Sequence, residues 1–312
     1  GLAPCIQQAI DSACDHCKLG YIPEPWKRRV AEACAGWQKS HYGWDVDPDI
    51  IRVVPDVLEA YEIFLRELVG AGNAVVVPTP AYMPFLSVPK LYDVDVIEIE
   101  MLQGTDETTG EREWLFDFDA IERAFAAGCH AFVLCNPHNP IGKVLTLAEE
   151  QRLCELAERY DVRIFNDEIH APFVYQGHTH VPFASINRQT AMQAFTSTSA
   201  SKSFNIPGTK CAQVILTNPD DLELWMRNAE WSEHQTATIG AIATTAAYDG
   251  GAAWFEGVMA YIERNIALVN EQMRTRFAKV RYVEPQGTYI AWLDFSPLGI
   301  GDPANYFFQK AN

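Results

Sequence analysis

Apolar residues occur along this chain in two patterns, and from about residue 50 onward short apolar runs alternate with longer amphipathic segments. A short apolar run between turn residues predicts a buried strand, whereas apolar residues three or four positions apart predict a helix. The alternation is typical of an α/β fold with a mostly parallel sheet. The pattern predicts strands at 74–78, 94–99, 131–135, 163–166, 194–197 and 213–217.

Capping residues mark two of the helices between these strands. Asp56 precedes a segment with helical spacing that ends at Gly70, and a carboxylate in that position caps the first turn of a helix. Thr146 and Glu149 have the spacing of a capping box, which predicts the start of a second helix.

The pattern divides the chain into three parts. Residues 41–253 carry the alternation of strands and helices and predict a large domain. Residues 254–312 predict a long helix at 255–276 and then a strand pair, which is typical of a smaller α+β domain, interrupted here by the chain end. Residues 1–40 form an N-terminal segment before the alternation begins.

Charge and composition exclude several classes of function. The 312 residues include 41 acidic and 24 basic ones, for a net charge of −17, and such a surface repels nucleic acid. No apolar stretch approaches the roughly 20 residues that a membrane helix needs, so we expect no membrane contact. The eight cysteines show no disulfide spacing, which favours reduced thiols in the cytoplasm.

Two short motifs resemble metal sites but lack the ligands to complete one. Cys14 and Cys17 have no second cysteine pair at a zinc-like spacing, so we interpret them as a helix end with two buried thiols. His178 and His180 have no carboxylate beside them in the sequence, so we interpret them as an exposed turn. We expect no metal site.

Polar side chains follow several predicted strands, at the sheet edge where ligands bind in open α/β folds. Lys202 stands among small hydroxyl residues just after a strand, which suits an amine that forms an imine with an aldehyde cofactor. Asp167 ends another strand, where its carboxylate can either pair with a ring nitrogen or cap the following turn. Asn139 lies in a rigid Asn-Pro loop, and Tyr82 lies in a turn bounded by prolines, positioned either to stack on a flat ring or to join the core.

Three of these segments together resemble the fold-type I enzymes that use pyridoxal 5′-phosphate (PLP), in the aminotransferase class I/II superfamily. The segments are Pro137–Gly142, Asp167–His170 and Ser201–Asn205. They are most similar to the MalY/PatB-type cystathionine β-lyases, also called C–S lyases. The resemblance implies a large domain with a seven-stranded sheet between helices, and residues 1–40 that contribute to the small domain and a dimer contact.

The resemblance also implies a role for each matching residue. Lys202 binds PLP as a Schiff base, Asp167 pairs with the pyridine nitrogen, and Asn139 contacts the 3-oxygen of the ring. Tyr82 stacks on the ring. His170 stands where aminotransferases commonly have a tyrosine, as in the lyase branch.

The phosphate group has its own set of expected contacts. Ser199 and Ser201 contact the phosphate, and so do the backbone N–H groups of Asp56 and Val57 at a helix N-terminus. Tyr21 lies in a segment similar to the one whose tyrosine reaches the phosphate of the neighbouring subunit. This similarity implies a homodimer.

The chain departs from the family pattern at two phosphate positions. Asp56 stands where the family usually has glycine, and its carboxylate is unfavourable near a phosphate unless it turns away to cap the helix. Lys210 stands where many aminotransferases have a phosphate-binding arginine, but Gly208 suggests the lyase-type turn and argues against that role. The arginine that binds the substrate carboxylate is expected beyond Asn312.

The implied reaction is β-elimination from an S-substituted L-cysteine, which gives a thiol, pyruvate and ammonia. An aminotransferase that uses the same lysine is the alternative, and a regulatory protein without catalysis is a further one. The expected partner is therefore a small amino-acid substrate.

Overall fold

The computed structural model describes residues 1–16, 19–105, 110 and 112–311. It confirms the predicted α/β fold, whose centre is a seven-stranded sheet in the order β1-β9-β8-β7-β6-β2-β3. The sheet strands are β1 Ile51–Val54, β2 Ala74–Thr79, β3 Asp95–Glu100, β6 Ala131–Cys135, β7 Arg163–Asp167, β8 Ala194–Thr198 and β9 Ala212–Ile215. Two short antiparallel pairs lie outside it, namely β4 Leu102–Thr105 with β5 Arg112–Leu115, and β10 Arg281–Tyr282 with β11 Leu293–Asp294.

Helices cover both faces of the sheet and extend beyond it. Their bounds are α1 Pro4–Asp15, α2 Glu24–Tyr42, α3 Val57–Phe64, α4 Pro84–Ser87, α5 Phe118–Ala126, α6 Leu147–Arg159, α7 Arg188–Gln193, α8 Pro219–Leu224, α9 Thr238–Gly250, α10 Ala252–Thr275 and α11 Pro303–Ala311. A π-helical turn, Leu65–Val69, extends α3 up to Gly70.

The sheet is parallel except at one strand. The pairs from β3 across to β8 run parallel, whereas β9 runs antiparallel to both of its neighbours, β8 and β1. Six strands therefore point the same way, and their carboxyl ends meet along one edge of the sheet.

Alternate residues of each strand point to opposite faces, and each face carries its own apolar core. Phe165 and Val133 pack with α3 in one cluster, while Ile164 and Phe132 pack with residues of α5 and α6 in the other. Because both faces are buried, the central strands are continuous apolar runs rather than alternating ones. This is the reason that short apolar runs predicted these strands.

The N-terminal helices pack on helix α9. Helices α1 and α2 both contact α9, and Ile6 of α1 lies in one buried cluster with Trp37, Phe204 and Ala243. The predicted boundary at residue 253 falls inside α10, which begins at Ala252. The division into three parts remains a prediction.

The structure describes parts of the two motifs that resemble metal sites, and the burial of their residues differs from the expectation. Cys14 lies at the end of α1 as expected, but it is exposed, so the interpretation as a buried thiol was wrong for this residue. Cys17 lies outside the described residues. His180 is buried, so the interpretation as an exposed turn was wrong for this residue. Among the described residues, no group of three or more His, Cys, Asp or Glu side chains could hold a metal ion, and no helix of that part of the chain is long and apolar enough to span a membrane.

Candidate active site

One cavity lies at the carboxyl edge of the sheet, and its volume is about 460 Å³. The chain reaches it from the ends of β1, β2, β6, β7 and β8, so residues far apart in sequence meet there. Nine of the ten residues predicted from the sequence line it: Asp56, Val57, Tyr82, Asn139, Asp167, His170, Ser199, Ser201 and Lys202. The tenth, Tyr21, is 91% exposed and is not among the lining residues.

Asp167 is the buried acid of this cavity. Its Oδ1 atom accepts a hydrogen bond of 3.0 Å from the backbone N–H of Ile169, which fixes the direction of the carboxyl group. Burial raises the pKa of Asp167 to about 7, against the opposing effects of this hydrogen bond and of the nearby Lys202 charge. A cationic group bound beside Asp167 would compensate the buried carboxylate.

His170 lies close to the same lysine and is held in its neutral form. Burial, and then the charge of Lys202, lower the pKa of His170 to about 3. The ring lies 5.5 Å from the ring of Tyr289, centroid to centroid. Among the described residues, its buried Nδ1 atom has no hydrogen-bond partner. A neutral imidazole with a free ring nitrogen can donate or accept one further hydrogen bond to a ligand.

The segment that carries Lys202 is a tight loop held by its own hydrogen bonds. Ser199 Oγ donates to the backbone oxygen of Cys211 at 2.8 Å and accepts from the backbone N–H of Ser201 at 3.0 Å. The N–H of Ile206 donates to the oxygen of Ser201 at 2.9 Å. The hydroxyl proton of Ser199 is thus engaged within the protein, while Ser201 is half-buried at the cavity wall.

The N-terminus of α3 forms another wall of the cavity. Asp56 caps the helix, because its Oδ1 atom accepts from the N–H of Glu59 at 3.0 Å. Its other oxygen forms a 2.6 Å ion pair with Lys210 Nζ. The capping expectation is therefore confirmed, and the carboxylate is partly neutralised. Asp56, Val57 and Leu58 of this N-terminus line the cavity, and a helix N-terminus favours an anion.

Tyr82 stands in the turn after β2 and is half-exposed. Its ring packs edge-on against Phe85 at 5.5 Å between centroids. Burial, and then the charge of Asp167, raise the pKa of Tyr82, so its hydroxyl stays protonated at neutral pH. Tyr82 is therefore a cavity residue and not a member of the core.

Eight further lining residues were not assigned to the site from the sequence, and Lys210, Tyr289 and Ile290 are among them. Tyr289 reaches the cavity because the segment before it pairs with residues after β7: the N–H of Thr288 donates to Phe173 at 2.7 Å. This contact spans more than one hundred residues, and no local pattern signals it. Lys210 stands where many aminotransferases have a phosphate-binding arginine, but the turn at Gly208 argues from the sequence against a phosphate role.

Comparison with known proteins identifies the family. Residues 6–311 match the family described as "Aminotransferase class I and II". The chain belongs to the aminotransferase class I and II family. The match spans nearly the whole chain, so the resemblance inferred from three short motifs is confirmed at the level of the family.

Three known proteins are similar to this chain over most of their own length. The cystathionine β-lyase of Corynebacterium glutamicum is 31% identical over 99% of this chain and 80% of its own length. The cystathionine β-lyase PatB of Bacillus subtilis is 30% identical over 95% of this chain and 75% of its own. A solved structure from Corynebacterium diphtheriae, described as a PLP-dependent β-cystathionase, superposes with a TM-score of 0.91 at 33% identity, over 100% of this chain and 79% of that one.

Proposed function

We propose that this chain is a PLP-dependent C–S lyase that eliminates a thiol from S-substituted L-cysteines. The observation that carries the proposal is the shared cavity of Lys202 and Asp167, which follow β8 and end β7 respectively. The relatives from Corynebacterium glutamicum and Bacillus subtilis support the reaction, since both are cystathionine β-lyases. The Corynebacterium diphtheriae structure, described as PLP-dependent, supports the cofactor.

The residues of the cavity fit PLP by their chemistry. Burial raises the pKa of the Asp167 carboxyl, so its charged form needs a cation beside it. A protonated pyridine nitrogen would be such a cation. The N-terminus of α3, Ser201 and Lys210, which line the same cavity, suit a phosphate group. Lys202 provides the amine that reacts with an aldehyde.

Each remaining residue has a proposed part in holding the cofactor. We propose that Asn139 donates a hydrogen bond to the 3-oxygen of the cofactor and that Tyr82 stacks on its ring. Ser199 accepts a hydrogen bond from the N–H of Ser201 and so orients Ser201 towards the phosphate. His170 supplies a neutral imidazole beside Lys202. Val57 contributes the first helical N–H of α3.

The chain's own groups account for the proton movements of β-elimination. Bound PLP supplies an electron-accepting ring that stabilises negative charge at the substrate Cα. Lys202 Nζ, once released by the substrate amine, takes the Cα proton as a general base. The C–S bond then breaks and the electron pair leaves with sulfur. Hydrolysis of the remaining three-carbon product yields pyruvate and ammonia and consumes one water.

The assembly and location of the protein are part of the same proposal. We propose a homodimer in which Tyr21, fully exposed in one subunit, contacts the phosphate in the neighbouring site. The cysteines among the described residues are free thiols, which is consistent with function in the cytoplasm. The substrate is a small amino acid.

The test is release of pyruvate and thiol from L-cystathionine, with no keto acid added. We expect Lys202→Ala to abolish this release and the absorbance of bound cofactor, while Lys39→Ala, at an exposed ion pair with Asp45, behaves as the parent. Borohydride reduction followed by peptide mapping should find the cofactor on Lys202. A strict requirement for a keto acid would instead identify an aminotransferase, and an unmodified Lys202 would reject both.

A further inference from the structure

Outside the cavity lining, the protein buries two carboxyl groups that the proposed chemistry does not use. Glu150 on α6 is fully buried, and so is Glu168, the residue after Asp167. Each has one oxygen, Oε2, without a hydrogen-bond partner among residues 1–16, 19–105, 110 and 112–311. Buried polar atoms are nearly always satisfied, so two orphaned carboxyl oxygens in one region require an explanation.

Glu150 holds the loop that carries Asn139. Its Oε1 atom accepts a hydrogen bond of 2.9 Å from the side chain of Asn136. The Asn136 side chain in turn accepts from the N–H of Leu145 at 3.1 Å, which closes the loop at its far end. The N–H of Asn136 donates to the backbone oxygen of Asp167 at 3.1 Å. Asn136 is therefore the joint between the two segments.

Glu168 holds the strand end that carries Asp167. Its Oε1 atom accepts from the Asn166 side chain at 2.8 Å and from the N–H of Phe183 at 2.9 Å. The Oε2 atom lies 3.8 Å from Nε2 of His180, beyond hydrogen-bond distance. The two ring nitrogens of His180 have no partner within the described part of the chain. No basic side chain thus forms a hydrogen bond with Glu168 Oε2 there.

The protonation state of Glu150 makes the two orphaned oxygens complementary. Burial, and then the negative charge of Glu168, raise the pKa of Glu150 to about 9, with a smaller contribution from Glu149. Glu150 is therefore a neutral acid at pH 7, and its proton needs an acceptor. A proton donor on one orphaned oxygen and an acceptor on the other would satisfy both groups in one direct hydrogen bond.

We propose that Glu150 and Glu168 are positioning residues, whose shared proton ties the Asn139 loop to the strand end that carries Asp167. The proposal rests on the proposed function in one respect, since Asn139 and Asp167 matter there as contacts of the cofactor ring. Loosening of the pair would let these two contacts move relative to each other.

The experiment compares Glu150→Ala with Glu150→Gln. Alanine removes the acceptor for Asn136, so we expect the Leu145 amide of the apoprotein to exchange with solvent about tenfold faster, as loss of one buried hydrogen bond predicts. We expect PLP to bind about tenfold more weakly as well. Glutamine is a neutral isostere that keeps both a donor and an acceptor, so it should restore both quantities to within about threefold of the parent.

Glu168→Gln and Glu233→Gln complete the design. Glu168→Gln places a donor amide against the donor on Glu150, so it should resemble Glu150→Ala, and it serves in its place if that variant does not fold. Glu233 is a buried carboxylate paired with Lys27 and Arg52. Its glutamine variant should lower the melting temperature without changing Leu145 exchange or PLP affinity, which separates positioning from general stability.

Two outcomes would overturn the proposal that Glu150 and Glu168 share a proton. One is parent-like Leu145 exchange in both Glu150→Ala and Glu168→Gln, and the other is a failure of Glu150→Gln to restore it. Exchange is measured without cofactor, so it tests the pair even if the parent does not bind PLP. Absence of PLP binding in the parent would reject the proposed function instead.

Discussion

Asp56 shows how one side chain can serve the fold at the expense of a ligand. It caps α3 with one oxygen and pairs with Lys210 through the other. Both groups are partly exposed, so their ion pair is worth little in isolation. Its position is what matters, because the pair lies at the end of the cavity where we place the phosphate. The carboxylate repels that phosphate and also engages the nearest lysine.

Asp56→Asn should therefore tighten PLP binding. Asparagine caps a helix as well as aspartate does, but it carries no charge and releases Lys210 towards the phosphate. We expect the dissociation constant to fall about fivefold, the scale of one exposed charge interaction. Fluorescence titration of the apoprotein with PLP measures it. Weaker binding by Asp56→Asn, with an unchanged melting temperature, would show that the carboxylate helps to hold the cofactor.

Asp167 makes the apoprotein sensitive to pH. Its pKa is raised to about 7 by burial, above the value of about 3.9 for an unfolded chain. A carboxyl group of this kind contributes stability while protonated, and the contribution is lost as the pH rises through the folded pKa. The charged form is thus destabilising without a bound cation, as expected of residues selected for function over stability.

Asp167→Asn should remove this pH dependence. We expect the variant to gain stability relative to the parent by about 2 kcal/mol more at pH 8 than at pH 5, both without cofactor. Urea unfolding at the two pH values measures the difference. Equal differences at both values would contradict the raised pKa, and tighter PLP binding by the variant would contradict the proposed pairing with the pyridine nitrogen.

At the scale of elements, the sequence predicted what is local. The central strands were predicted to within one or two residues, because burial on both faces makes them apolar runs. Strand β1 and the β4–β5 pair were not predicted, since they are short and carry polar residues such as Arg52 and Gln103. Helix α9 was also missed: it is buried around most of its surface and has no clear polar face.

The candidate site divides in the same way. Residues within motifs, such as Asp167 and Lys202, could be predicted because a strand end places them at the sheet edge. Tyr289 could not, since the segment it follows pairs with Phe173, more than one hundred residues earlier. Glu150 and Glu168 could not, since their partners are backbone and amide groups that no short motif marks. His180 was misinterpreted for the same reason, because the element that buries it is distant in sequence.

Helix α9 illustrates how packing between elements constrains the active-site loop. A Cβ atom at Gly240 would lie 2.1 Å from the backbone oxygen of Thr209, next to Lys210. A Cβ atom at Gly36, in α2, would meet nothing within 4 Å. The glycine in α9 therefore permits close approach of a loop, whereas the glycine in α2 only weakens its helix.

Alanine should have opposite effects at these two positions. We expect Gly240→Ala to destabilise the protein by about 3 kcal/mol, since backbone atoms must move to relieve the overlap. Gly36→Ala should stabilise it by about 0.5–1 kcal/mol through helix propensity. Thermal unfolding of both variants provides the comparison. A Gly240→Ala variant as stable as the parent would mean that α9 and the loop are not packed as described.

At the scale of the whole molecule, the chain leaves one predicted site residue outside its own cavity. Tyr21 is exposed, and its segment is anchored to helix α9 by a hydrogen bond of 2.6 Å from the Thr238 hydroxyl to the backbone oxygen of Gly20. An aromatic side chain held in solvent by an anchored backbone is well placed to contact a second subunit. In a symmetric dimer, each subunit would then complete the site of the other.

A dimer of two defective subunits should separate this arrangement from one within a single chain. Tyr21→Ala and Lys202→Ala chains, co-expressed with different tags, give a heterodimer in which one site keeps both residues only if Tyr21 acts across the interface. We expect that heterodimer to show about half of the parent's activity, since one of its two sites is intact. If Tyr21 served its own subunit, the heterodimer would be no more active per lysine than the Tyr21→Ala homodimer. Sedimentation of the parent as a monomer would also contradict the arrangement, because an intact site would then need no partner.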